Sequence, residues 1–147
     1  MSAFVVDASV AIKWVVAEPG TKEALGLFGS RLFAPALLQA ECANILWKKV
    51  RRGELSSTEA RIAARLLANF GVEVVSPEPE MARVLELAIA LDHPAYDCVY
   101  LAAAEKLGAP LVTADERLVR AVRIAAASSL ILKGISVVPL LDQPAAN

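Results

Sequence analysis

The chain has 147 residues, 56% of them hydrophobic and 21% charged, with 15 Lys and Arg against 16 Asp and Glu for a formal charge of -1. A chain of about 150 residues buries roughly 70% of the surface its unfolded form exposes, so it needs neither disulfides nor a structural metal to fold. Its composition excludes disorder, collagen-like repeats and cysteine scaffolds, and its near-neutral charge means that any nucleic-acid contact must rest on a local basic patch.

Taken in chain order, short β-branched runs alternate with longer helical patterns. Phe4 to Val6 reads as a strand, as do Leu32 to Ala34, Val72 to Val75 and Leu111 to Thr113, and a fifth is expected over Ile135 to Val138, closed by Pro139. Such alternation is the signature of a parallel sheet covered on both faces. The expected fold is therefore a single α/β domain over residues 3–140, with a central, mostly parallel sheet of four to five strands flanked by helices, and a loose tail over 141–147. Ser56 and Glu59 form a capping box that opens a helix ending near Gly71, and Pro79 and Glu80 open the next. His93-Pro94 then interrupts one helical pattern running from Glu80 to Leu107, giving two helices at an angle, because proline removes an amide donor and restricts the residue before it. Ser128 to Lys133 follows no clear period.

The opening MSAFVVDASVAIKW has no basic flank and meets Asp7 early, and no stretch offers about 18 consecutive apolar residues. Neither a secretory signal nor a membrane span is expected, and the expected location is the cytoplasm. The apolar excess points instead to a face shared with a partner or a second copy.

Four acids stand in unusual company. Asp7 directly follows the first strand, and Asp115 follows the fourth by one alanine. Glu41 is the only acid between Arg31 and Gly53 and falls on a helix's apolar stripe. Asp97 heads the face Asp97, Tyr100, Leu101, Ala104 of an Ala-rich helix. In a doubly covered parallel sheet, strand ends and the following helix starts gather along one edge, so all four can reach one crevice. Asp7 and Asp115 would serve equally as helix N-caps. Clustered carboxylates repel, and protonation or a hard divalent cation relieves them; Mg²⁺ fits best, with Mn²⁺ as a substitute. Zinc is disfavoured because Cys42, Cys98 and His93 lack ligand spacing, and the cysteines read as small core residues. Ser9, Asn44 and Thr113 are placed to hydrogen-bond the acids.

The segments VVDAS, QAECANIL and AYDCVYLAAAEKLGAPLVTAD, in this order, resemble the PIN-domain nucleases, above all the VapC toxin ribonucleases of bacterial toxin-antitoxin pairs, and the likeness covers nearly the whole chain. The resemblance implies that Asp7, Glu41, Asp97 and Asp115 fall on the family's acidic quartet, with Thr113 beside the last acid. It implies a magnesium-dependent endoribonuclease that hydrolyses RNA phosphodiester bonds, a homodimer, and an inhibitory antitoxin. On this expectation Asp7, Asp97 and Asp115 are the metal ligands, direct or through water, and Glu41 orients the attacking water or holds a second ion.

Cations near the acids are Lys13, the run Lys48, Lys49, Arg51 and Arg52, and Arg117, Arg120 and Arg123; Lys13 and Arg117 are the expected substrate contacts. Helices carrying Trp14, Trp47 and Leu25 or Phe28 are expected to offer the antitoxin a groove. Rival readings are a related nuclease acting on DNA or in RNA processing, and a non-catalytic metal-binding interaction domain. An aspartyl phosphotransferase would carry a second Asp where Ser9 stands.

Overall fold

β1 (Ala3–Val6), β2 (Arg31–Ala34), β3 (Glu73–Val74), β4 (Leu111–Thr113) and β5 (Val137–Pro139) form one sheet in the order β3-β2-β1-β4-β5, with every neighbouring pair parallel. The structure is a computed structural model and describes residues 2–128 and 130–147. The chain builds outward from β1 to β3, then crosses back to lay β4 and β5 on the other side. Strand order therefore reverses between β1 and β4, where open α/β sheets bind ligands beyond the carboxyl ends of their strands.

Among the described residues, seven α-helices flank the sheet: α1 (Ala8–Ala11), α2 (Thr21–Leu25), α3 (Leu37–Arg51), α4 (Ser57–Leu67), α5 (Met81–Leu91), α6 (Ala95–Leu107) and α7 (Glu116–Ala126). The two-residue period of the strands sorts the core. Val5 and Leu111, paired across β1 and β4, enter a cluster with residues of α5, α6 and α7; their neighbours Val6 and Val112, also paired, enter another with α1, Trp14, α2 and Cys42 of α3. The strands buried on both faces are thus the continuous apolar runs visible in the sequence.

Helix ends follow their local chemistry. Ser56 and Glu59 make the reciprocal capping box that opens α4. Between α5 and α6, Asp92 turns left-handed at φ 48° and Pro94 caps α6, so the expected interruption falls at His93-Pro94. Small residues let α6 lie close to the sheet, with Cys98, Leu101, Ala103 and Ala104 buried. It ends at Gly108, whose φ of 61° suits a residue without Cβ.

Boundaries differ from expectation at the sheet edges. β3 shortens to two residues, and β5 shifts to Val137–Pro139, where proline is tolerated because an edge strand need not donate on both sides. Leu130–Leu132, in the stretch without clear period, forms a 3-10 turn with Leu132 buried; Ser129 lies outside the described residues. Arg83 of α5 anchors this turn, donating to the Ile131 carbonyl and to Glu105 of α6, each at 2.6 Å. The segment after Leu141, expected to hang loose, packs on α2. Ala146 N–H donates to the Lys22 carbonyl at 2.8 Å, and the Pro144 carbonyl comes so close to Gly26 that a Cβ there would collide with it. Among the described residues, no helix is long and apolar enough to cross a membrane.

Candidate metal centre

Asp7 directly follows β1 and caps α1, and its carboxylate accepts from three protein donors, one of them on Oδ2. Oδ1 accepts from the Ser9 hydroxyl and from Val10 N–H, and Oδ2 accepts from the Thr113 hydroxyl. Ser9 Oγ in turn accepts from Ala114 N–H at 2.9 Å, and Thr113 Oγ1 accepts from Asp115 N–H at 3.0 Å. These bonds stitch the C-terminal ends of β1 and β4 together. Asp7 is only 5% exposed, and burial lifts its pKa from 3.8 to about 6 against the opposing hydrogen bonds, with the charge of Asp97 adding to the rise.

Asp115 caps α7 through Oδ1, which accepts from Arg117 N–H at 2.9 Å and Leu118 N–H at 3.3 Å. Oδ2 has no protein donor among the described residues. Asp97 stands in the first turn of α6, where the helix's positive end favours a carboxylate. Its Oδ2 meets His93 Nε2 at 2.6 Å, leaving Oδ1 without a protein donor among the described residues. One ligand atom from each of His93, Asp97 and Asp115 lies within 4.8 Å of the others, a grouping that fits a cation.

Glu41 projects from α3, half-buried. Burial raises its pKa, Tyr100 pulls it back in part, and the charge of Asp97 raises it further. The Tyr100 hydroxyl is buried and has no hydrogen-bond partner of ordinary geometry among the described residues. Asp97 thus acts electrostatically on both Asp7 and Glu41 while lying beside Asp115, so the four acids share one field. Three of them occupy helix N-termini, whose unpaired N–H groups offset part of the repulsion. Capping and clustering are the same arrangement here. Carboxylate oxygens with free lone pairs on Asp97 and Asp115, beside the His93 ring, could hold a divalent cation; Asp7 and Glu41 lie outside that close grouping.

The other sequence-selected residues divide. Ser9 and Thr113 hydrogen-bond Asp7. Asn44 is exposed and makes no side-chain hydrogen bond among the described residues, so it does not reach the acids. Lys13, expected to contact substrate, is committed to Glu18 at 2.8 Å with 13% of its side chain exposed, and Lys49 joins the same carboxylate at 3.2 Å. Arg117 is exposed and free of ion pairs among the described residues. Sequence reasoning missed His93, whose lack of zinc spacing argued against a ligand role. The signal was its position four residues before Asp97, one turn away if the break at Pro94 preserves helical phase. Cys42 and Cys98 are buried, and burial, with nearby carboxylates adding, pushes their thiols up to about 12 and about 11, which makes them inert core residues.

Trp14, 8% exposed, donates Nε1–H to the Ala24 carbonyl at 2.8 Å and packs on Phe28 and Phe70. It floors a groove of about 330 Å³ lined by Leu38, Leu46, Leu67 and Val72, while Trp47 stands 51% exposed under the Arg51 guanidinium.

The PIN domain family model matches residues 4–124. Ribonuclease VapC3 of Pyrobaculum aerophilum is 34% identical over 118 residues, covering 78% of this chain and 90% of its own. Ribonuclease VapC9 of Mycobacterium tuberculosis (strain ATCC 25618 / H37Rv) is 32% identical over 114 residues, covering 78% and 87%. The crystal structure of PAE2754 from Pyrobaculum aerophilum superposes with a TM-score of 0.71 at 22% identity, over 96% of this chain and 91% of that one. That of VapBC2 from Rickettsia felis, bound to a DNA fragment from their promoter, gives 0.61 at 12% identity, over 93% and 98%. Family model, relatives and fold agree with the single α/β domain and its five-stranded parallel sheet: the chain belongs to the PIN domain family.

Proposed function

We propose that this protein is a metal-dependent endoribonuclease toxin held in check by a cognate antitoxin. The observation that carries the reading is the convergence of Asp7, Glu41, Asp97 and Asp115, from four separate elements, at the reversal of strand order. Asp97 and Asp115 would hold a divalent cation together with Asp7. Bound Mg²⁺ or Mn²⁺ supplies a lowered pKa to water and neutralises charge on a scissile phosphate. The protein's part is positioning. Ser9 and Thr113 fix the Asp7 carboxylate, His93 holds one oxygen of Asp97, and Glu41 orients the attacking water. A new bond forms from the water oxygen to phosphorus as the bond to the 3′ oxygen breaks. The relatives are named ribonucleases, and the reading takes its substrate from them.

Two apolar surfaces suit partners. The groove floored by Trp14 suits an antitoxin segment, and the outer face of α5, with Met81, Leu85 and Ile89 exposed, suits a second copy. The decisive experiment compares matched RNA and DNA with Mg²⁺, with Mn²⁺ and with excess EDTA, followed by end-group analysis. RNA cleavage that needs the ion and leaves 5′-phosphate and 3′-hydroxyl ends is the expected result. Undiminished cutting in EDTA, 2′,3′-cyclic phosphate ends, or preference for DNA would overturn the reading.

A further inference from the structure

Beside the acids, between the end of α5 and the outer face of α7, lies a cleft of about 470 Å³ lined by Leu91, His93, Arg117, Arg120, Ala121 and Ile124. That volume lies within the range of about 300–1,000 Å³ of small-ligand pockets. His93 lines it and hydrogen-bonds Asp97, so the cleft adjoins the cluster through this one side chain. Arg117 and Arg120 are one turn apart on α7, exposed, and make no ion pair among the described residues. They face one carboxylate in the cleft, that of Asp92. Ile124, one turn beyond Arg120, is 73% exposed against this wall. Free guanidiniums beside an apolar wall suit a nucleotide, because the planar fork matches a phosphate's oxygens while aliphatic surface covers a base or sugar.

The opposite side of α7 offers a weaker alternative. That cavity, about 520 Å³, is lined by Lys13, Arg120 and Arg123, but also by Glu116 and Asp142, and the Lys13 ammonium is taken by Glu18. Resting on the nuclease reading above, we infer that the α5–α7 cleft is the subsite for the RNA nucleotide flanking the cut, with Arg117 and Arg120 holding its backbone phosphates and Ile124 covering its base or sugar.

The test is binding of a labelled single-stranded RNA of mixed sequence, with EDTA present to prevent cutting, across a salt series. Removing one cation from a phosphate lowers the slope of log affinity against log salt by about 0.7 for a single strand. Arg117→Ala and Arg120→Ala should each lower it by about that amount, and Ile124→Ser should weaken binding without changing the slope. Arg123→Ala, on the other side of α7 and outside the cleft, should leave both unchanged. All four positions are exposed, and an unchanged melting-temperature shift on adding Mg²⁺ verifies that fold and acids are intact. Wild-type slope in the Arg117 and Arg120 variants, or loss confined to Arg123→Ala, overturns the inference while wild-type cleavage leaves the nuclease reading standing. A changed sedimentation state with an unchanged RNA slope makes the cleft a protein contact and also overturns it. A wild type that neither binds nor cuts RNA overturns both.

Discussion

Asp7 shows how a single residue couples stability to function. Its carboxyl is buried, and its pKa stands at about 6 in the folded chain against 3.8 when exposed. Below about pH 4 both states hold the proton, between about pH 4 and 6 the folded state alone holds it, and above that both are ionised. The folded state binds more protons in this window, so the metal-free protein should lose stability as pH rises from about 4 to 6, by about 3 kcal/mol from this group. Asp7→Asn removes the charge and should flatten that decline, raising the metal-free melting temperature near pH 7 but not near pH 4. Parallel pH dependence in the two proteins would refute it. The acids were legible in the sequence because a carboxylate among apolar residues requires a reason. His93 was not, because its partner lies across a proline. Asn44 misled because three residues along α3 turn the side chain about 60° from Glu41's direction, which here is enough to put it in water.

At the level of elements, α5 is two-sided. Val84, Leu87 and Leu91 fill the core, while Met81, Leu85 and Ile89, at four-residue spacing, are 84%, 55% and 72% exposed. An apolar stripe left in water on a well-packed helix marks a contact surface. Leu85→Lys with Ile89→Lys should shift sedimentation from dimer to monomer at micromolar concentration while preserving the fold's circular dichroism. A wild type already monomeric, or a variant still dimeric, would reject α5 as the seam. The strands divide by burial in how well they could be read. β1 and β4 are apolar on both faces and stood out as continuous runs. β3 and β5 pair on one side only, so their ends answer to tertiary context, such as the Arg31–Glu73 ion pair across β2 and β3 at 3.1 Å, rather than to local propensity.

For the molecule as a whole, charge is arranged by commitment rather than by count. Among the described residues, Glu18 takes both Lys13 and Lys49, Glu105 takes Arg83, and Glu73 takes Arg31, so four of the 15 basic side chains are neutralised in place. Arg117, Arg120 and Arg123 of α7 carry no ion pair among the described residues, as is true of Lys48, Arg51 and Arg52 of α3, but they follow directly on Asp115 and so stand on the helix that this acid caps, despite a net charge of -1. Composition could not reveal this, since pairing depends on distances that only the fold defines.

The stitching of β1 to β4 also sets a schedule for synthesis. Asp7 is made well before its partner Thr113, which comes 106 residues later. At about 5–20 residues per second, a ribosome carries the first acid for roughly 5–20 s before the strand that completes the cluster exists. Throughout that interval the central strand lacks a neighbour on one side, and the acid cluster on which the proposed activity rests is incomplete. Nascent chains stalled ahead of residue 115 should therefore cut no RNA with Mg²⁺ present, whereas released full-length protein should; cleavage by the stalled chains would show that the two ends need not meet.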